Sequence, residues 1–171
     1  MDFDPARLRL GEWVVGASGL TLLFALIALS WYGLKTRLAP TAAQLGVATS
    51  VSGWTGLTHV RWLVLVTLLA ALALVFFQAT RRAPAIPVSF SVIVTVLGIV
   101  TVIALIYRVL INTPGPDQLV ELRAGAYVGL LSALALSYGG YLSMREEGIA
   151  ERDAPQEIET LRLEDLPRGS P

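Results

Sequence analysis

The sequence has no cysteine, a single histidine and few charged residues. Only 15% of its 171 residues are charged, whereas about a quarter are charged in a typical soluble domain. The absence of cysteine excludes disulfides, iron–sulfur clusters and thiol catalysis. One histidine cannot build a histidine-rich metal centre, so we expect neither a metal nor another cofactor. Thirteen basic residues balance thirteen acidic ones, which argues against nucleic-acid binding.

The sequence instead has long apolar runs. Hydrophobic residues make up 54% of the chain, and the mean hydropathy is +0.65. Four stretches are long enough for a helix to cross a hydrocarbon core about 30 Å thick. Backbone groups in hydrocarbon must bond within their own segment, which favours helices throughout. The sequence predicts an all-α integral membrane four-helix bundle, with spans at about 13–34, 62–79, 88–111 and 124–144.

The predicted orientation depends on the lysines and arginines beside the spans, which concentrate on the cytoplasmic side. With both termini in the cytoplasm, six arginines lie inside and four cations outside, and the Arg81-Arg82 pair is the strongest part of this bias. We therefore predict a multi-pass membrane protein. Twelve arginines to one lysine are typical of a GC-rich bacterial genome, which indicates a bacterial plasma membrane. The acidic segment 145–171 has no aromatic residue and is predicted to be a disordered cytoplasmic tail.

Small residues recur every four positions along the fourth span, at Gly125, Gly129, Ala133 and Ser137. This spacing lets two helix backbones approach closely in a membrane. It predicts tight helix packing without identifying the partner helix. The partner is either another helix of the same chain, a second copy, or a different membrane protein.

A polar stripe follows one face of the third span. Its members are Ser91, Thr95, Gly98, Thr101 and Arg108. Ionisable residues inside a span often mark function, but Arg108 is close enough to the helix end to extend its side chain to the interface. Asp117 and Glu121 are candidate ion-pair partners on the same side. Arg108 is thus structural, a site for an anionic headgroup or solute, or a residue that acts in gating or coupling.

Aromatic residues near the predicted helix ends are expected to anchor the protein in the headgroup layer. They are Trp13, Trp31, Tyr32, Trp62, Tyr138 and Tyr141. In the first outer loop, 35–61, we predict a short helix after Pro40 and a turn around Trp54.

Several short motifs lie at the ends of the predicted spans and in the first outer loop. They are Glu12-Trp13, Trp31-Tyr32, Ser52-Gly53-Trp54, Arg-x-Gly-Ala-Tyr at 123–127 and Arg-Glu-Glu at 145–147. Together with twelve arginines to one lysine, the layout resembles uncharacterised four-span membrane proteins of high-GC Gram-positive bacteria, which implies no particular activity. Gly53–Leu57 also resembles the first loop of claudin-type tetraspans. Those proteins have a cysteine pair and more strand in this loop, and the lack of cysteine argues against membership.

Two functions fit this sequence, and neither is enzymatic, because no catalytic motif or paired nucleophile and base is present. The first is an accessory or scaffold subunit that contacts a membrane-protein partner or a second copy. The second is a small transporter or channel component that uses the polar stripe. A transporter needs water to reach Ser91, Thr95 and Thr101, whereas a scaffold keeps them packed and dry.

Overall fold

The computed structural model describes residues 8–35, 37–80, 88–114 and 119–152, which are mostly helical. The elements in chain order are α1 (Leu10–Ala28), β1 (Ser30–Leu34), α2 (Ala39–Gln44), β2 (Ser50–Ser52), α3 (Gly53–Gly56), α4 (Val60–Thr80), α5 (Val88–Ile106), β3 (Val120–Leu122) and α6 (Ala124–Arg152). A π-helical segment, Tyr107–Ile111, continues α5 without a break.

Within the described residues, three helical segments are long and apolar enough to cross a membrane. They are Leu10–Ala28, Val60–Thr80 and Phe90–Ile111, of 19, 21 and 22 residues. At 1.5 Å per residue these lengths are about 28 to 33 Å, close to the thickness of a hydrocarbon core. α6 is longer, at 29 residues, but its glycines, serines and tyrosines and its charged end make it less apolar.

The four long helices pack in a ring, in the order α1, α4, α5 and α6, each antiparallel to its neighbours. α1 packs most extensively on α6, with close backbone contact at both ends of the pair. Gly11 lies against the backbone of Ser143 at one end, and Gly125 lies against Leu29 at the other. A Cβ on either glycine would overlap its neighbour, so glycine is what permits these backbones to approach so closely.

α4 completes the ring between α1 and α5. Gly19 of α1 lies beside Leu68, and the Phe77 ring of α4 lies 5.4 Å from the Phe90 ring of α5, centroid to centroid. The interior along the ring is apolar, with Leu22 and Leu74 among the fully buried side chains. Each long helix therefore has one buried stripe and one outward face.

The first apolar run is not helical along its whole length. The prediction of a helix over 13–34 is wrong for its last six residues, because α1 ends at Ala28 and Ser30–Leu34 forms β1. β1 is the middle strand of an antiparallel sheet in the order β2-β1-β3, in which Tyr32 lies opposite Val51 and Leu122. The two flanking strands supply backbone partners, so β1 needs no intrahelical bonds.

Two of the six predicted interfacial aromatics belong to the core. Trp31 is fully buried and Tyr32 is 2% exposed, so the prediction that they lie in a headgroup layer is wrong. The Trp31 Nε1 donates a hydrogen bond of 2.7 Å to the Ala25 carbonyl, near the C-terminus of α1. The same carbonyl also accepts a hydrogen bond of 3.3 Å from the Leu29 amide, so the indole is bound directly to the C-terminal turn of α1. The other four aromatics are exposed: Trp13, Trp62, Tyr138 and Tyr141.

The first outer loop contains the predicted short helix. α2 begins at Ala39 with Pro40 in its first turn, as the sequence indicated. The predicted turn around Trp54 is a single helical turn, α3. The Arg81-Arg82 pair, Asp117 and most of the predicted tail lie outside the described residues.

Candidate functional site

The polar and aromatic residues of interest gather at the end of the helices that carries the sheet. The sheet, α2, α3, the start of α4 and the π-helical segment all lie there, because α1 and α5 end at this side while α4 and α6 begin at it. The opposite end contains the start of α1 and the charged end of α6, where the Arg9 guanidinium donates to the Glu146 carbonyl at 3.0 Å. We call the first of these the sheet end.

Arg108 lies in the π-helical segment, and its guanidinium connects two elements. Its Nη1 donates to the Asn112 carbonyl at 2.6 Å, and its Nη2 donates to the Gly56 carbonyl of α3 at 3.2 Å. A π-helical turn is wider than an α-helical one. Here the Asn112 amide closes it by donating to the Tyr107 carbonyl at 2.8 Å. Such π-helical turns occur often at functional sites. Here the turn places Arg108 against a loop 52 positions earlier in the chain.

Tyr32 links the sheet to the same segment. Its hydroxyl donates to the Arg108 carbonyl at 3.4 Å, so strand and helix meet at one residue. Burial raises the pKa of Tyr32 above its ordinary value of 10.0, and the positive charge of Arg108 partly opposes this shift. Tyr32 therefore remains a neutral hydrogen-bond donor at physiological pH.

The structure gives Glu121 a partner other than the predicted one. Its Oε1 lies 2.7 Å from the Nη2 of Arg123, and within the described residues no ion pair joins Glu121 to Arg108. Residues two apart on an extended chain share a face, and Glu121 and Arg123 have this spacing at the end of β3. The Nη2 of Arg123 also donates to the Leu34 carbonyl of β1 at 3.4 Å. The pair thus fastens β3 to β1.

The predicted polar stripe lies in contacts between helices. Ser91 and Thr101 are fully buried, and the Thr101 hydroxyl lies 2.7 Å from the Thr67 hydroxyl of α4. Gly98 packs on Ser137 of α6, where a Cβ would approach the Ser137 Oγ to 2.6 Å. Sequence reasoning missed Thr67, the one hydroxyl residue in the interior of the second apolar run.

The other members of the stripe extend this packing. Thr95 donates to the Ser91 carbonyl within its own helix at 2.8 Å, and Gly140 of α6 lies against Thr95. Arg108, the last member, is separated from the others by its position at the sheet end. The polar stripe therefore has two parts. Ser91 and Thr101 are buried between helices, whereas the Arg108 guanidinium donates to carbonyls at the sheet end.

The small residues of α6 are covered by the same chain. Gly125 and Gly129 lie against the Trp31 indole, so that a Cβ on Gly129 would enter the ring. Ala133 is buried, and Ser137 faces α5. The small residues predicted to pack against another helix therefore pack against Trp31 and α5 of the same chain.

A second polar and aromatic cluster lies where α4 begins. The Arg61 guanidinium carbon lies 5.0 Å from the Trp54 ring centre and 5.5 Å from that of Trp62. The two indoles lie edge to face, 6.4 Å apart. The Arg61 Nη1 donates to the Trp54 carbonyl at 3.2 Å. We call these three residues the Trp–Arg cluster. Its only signal in the sequence is that two tryptophans lie near one arginine after a glycine-rich turn.

The sheet end also has a cavity of about 190 Å³ between β1, β2 and α3. Tyr32, Thr49, Val51, Thr55, Gly56 and Pro114 are among its lining residues. Of the described residues that line it, Tyr32 alone has a titratable side chain.

No group of three or more histidine, aspartate or glutamate side chains suited to a metal ion occurs in the described parts of the chain. No family model matches the sequence, and neither a curated protein nor a solved structure matches it significantly. The resemblance to four-span proteins of high-GC Gram-positive bacteria therefore stays a prediction.

Proposed function

We propose that the chain is a non-enzymatic, four-span protein of a bacterial plasma membrane, with both termini in the cytoplasm. It serves there as an accessory or scaffold subunit of a membrane assembly. The observation that carries the proposal is the buried hydroxyl contact between Thr67 and Thr101, which occupies the face that a transporter would need to hydrate.

The outward surface supports placement in a membrane. Large apolar side chains such as Leu20, Phe24, Leu69 and Ile103 are each about 60% exposed or more on three different helices. A soluble bundle would place polar residues on these faces, and monomeric soluble proteins rarely expose apolar patches of this extent. α6 is the proposed fourth span, since it lies antiparallel to α1 and α5 over the same length.

The interior supports a scaffold over a transporter. Thr67 also donates to the Leu63 carbonyl at 3.0 Å, so the hydroxyl pair satisfies its own hydrogen bonds without water. Polar groups that bond only within the protein give a stable, closed contact between helices. A transport path would need to break this contact.

Single cysteines test both the topology and the dry stripe, because the chain has none of its own. Leu45→Cys, at a 75% exposed position in the first outer loop, should react with a membrane-impermeant maleimide in intact cells. Arg145→Cys should react only after permeabilisation. Thr95→Cys and Thr101→Cys should stay unreactive in native membranes and react after denaturation.

Each result has a defined meaning. Reaction of Thr101→Cys in native membranes at a rate near that of Leu45→Cys would favour the transporter or channel function. Reaction of Arg145→Cys in intact cells would overturn the proposed orientation, and resistance at the outer and inner positions alike would overturn the four-span topology.

A further inference from the structure

Four arginines lie at the sheet end. Arg37 is exposed in the first outer loop. The other three form hydrogen bonds and differ in how far the protein satisfies their guanidinium groups. Arg108 donates from both terminal nitrogens to carbonyls, at 2.6 and 3.2 Å. Arg123 pairs with Glu121 and also bonds the Leu34 carbonyl. Arg61 has one carbonyl acceptor, and within the described residues no carboxylate pairs with it. Arg61 thus has both charge and donors to spare.

The surroundings of Arg61 favour the binding of an anion by its guanidinium. The Nε of Arg61, like that of Arg123, is buried without a hydrogen-bond partner, but only Arg61 also has two indoles within 5.5 Å of its guanidinium carbon among the described residues. Aromatic faces stabilise a cation while excluding water from it. A guanidinium is weakly hydrated and presents parallel N–H groups that match a phosphate in a two-point bond. The unused N–H groups of Arg61 therefore suit an oxyanion such as a phosphate.

The position of the cluster indicates where that anion comes from. Arg61 and Trp62 are the second and third residues of α4, at the boundary between the apolar helix and the polar loop. Trp62 is 59% exposed and Trp54 is 37% exposed, as expected of indoles at the level of lipid headgroups. At this depth the abundant anion is the phosphate of an anionic phospholipid.

We propose that the Trp–Arg cluster is a binding site for an anionic phospholipid. Arg61 binds the phosphate through its free N–H groups, and Trp54 and Trp62 cover the glycerol region beside it. The inference rests on the membrane placement proposed above. It moves the anion-binding role from Arg108, whose donors are already used, to an arginine that the polar stripe does not include.

The first test is native mass spectrometry of the detergent-purified protein mixed with equal amounts of phosphatidylglycerol and phosphatidylcholine. Both lipids have a phosphate, but only phosphatidylglycerol keeps a net negative charge, because choline offsets the phosphate charge in phosphatidylcholine. The stronger charge-assisted contact should favour phosphatidylglycerol roughly tenfold. Arg61→Gln should remove this preference, whereas Lys35→Gln, which removes another cation from the same end, should keep it. Equal retention of the two lipids by the wild type, or an unchanged preference in Arg61→Gln, would overturn the proposal.

A second measurement does not depend on how Arg61→Gln folds. In a Trp13→Phe protein, Trp54 and Trp62 are the exposed tryptophans, because Trp31 is buried. Phosphatidylglycerol with brominated acyl chains should quench their fluorescence more strongly than brominated phosphatidylcholine at the same mole fraction. Equal quenching would overturn the proposal, and so would quenching protection by millimolar inorganic phosphate, which would identify a soluble anion as the ligand.

These outcomes are distinct from failure of the proposed function. A chain released from membranes by alkaline carbonate would contradict the membrane placement itself. A chain that stays in the membrane but binds both lipids equally would contradict the cluster alone.

Discussion

At the scale of single residues, Trp31 holds the sheet end together. It is fully buried, bonds a carbonyl in the last turn of α1, and lies against Gly53 of α3 and Gly125 and Gly129 of α6. One indole thus contacts three elements that are far apart in sequence. The glycines beneath it are needed for the space that they leave rather than for backbone flexibility, since they lie in or beside ordinary helical turns.

This packing predicts opposite effects for two glycine-to-alanine changes. Gly129→Ala places a methyl group inside the Trp31 ring and should reduce the free energy of unfolding by about 1 to 3 kcal/mol, the usual cost of overpacking. Gly16→Ala is the control, because its Cβ would lie 3.6 Å from Val75 in ordinary contact. Since alanine is the better helix former, Gly16→Ala should be neutral or slightly stabilising.

Thermal unfolding of both variants in the same detergent measures the difference. A melting temperature for Gly129→Ala equal to that of the wild type would mean that Trp31 can move aside. The close contact would then not be what holds β1 on α6.

At the scale of elements, the sheet is the part of the fold that the sequence did not reveal. The starts of α4 and α6 could be predicted within two residues, because apolar runs there begin beside Arg61 and Arg123. β1 could not, since its residues continue the apolar run of α1 and hydropathy does not distinguish a buried strand from a buried helix. Its partners are two strands of three residues each, brought together only by the tertiary fold.

The partner of Arg108 could not be predicted for the same reason. The Gly56 carbonyl lies 52 positions from Arg108, and a carbonyl acceptor has no sequence signature. The helix face that carries Ser91 and Thr101 was predictable from spacing alone. Its burial against Thr67 was not, because spacing identifies a face but not the helix that covers it.

The junction between the sheet and α5 predicts a stability change at high pH. Burial raises the pKa of Tyr32 in the folded protein, so the unfolded chain ionises first as the pH rises. The stabilising contribution of neutral Tyr32 is complete below its ordinary pKa of 10.0 and is lost as the pH rises through the higher pKa of the folded state. The free energy of unfolding should therefore fall as the pH rises above the ordinary pKa of 10.0.

Tyr32→Phe keeps the ring and removes the titrating hydroxyl, so it isolates this effect. It should cost at most about 1 kcal/mol near neutral pH, because the lost hydrogen bond is 3.4 Å long. Its unfolding free energy should then decline less steeply than that of the wild type in alkaline solution. Parallel curves for the two proteins would show that Tyr32 is not the titrating group.

At the scale of the whole molecule, the packing within the chain limits how it can associate with others. The small residues of α6 are occupied by Trp31 and α5, so they are not free to join a second copy. Association must use the outward faces. On α6 this face carries three half-exposed tyrosines as well as leucines, which makes it less apolar than the outward faces of the other long helices: Tyr127, Leu131, Leu134, Tyr138 and Tyr141.

An accessory subunit should therefore be recovered with another membrane protein. We expect a tagged chain, extracted from native membranes in mild detergent, to carry one different protein in fixed ratio when the complex is weighed by native mass spectrometry. The contact should weaken when Leu131 and Leu134 on the outward face of α6 are both changed to alanine, and it should survive the same change at Leu69 and Leu72 of α4, which are also exposed. A monomer or homo-oligomer that carries bound solute would instead favour the transporter. Because Thr67 and Thr101 are buried against each other within one chain, we would then expect the transport path to lie between copies.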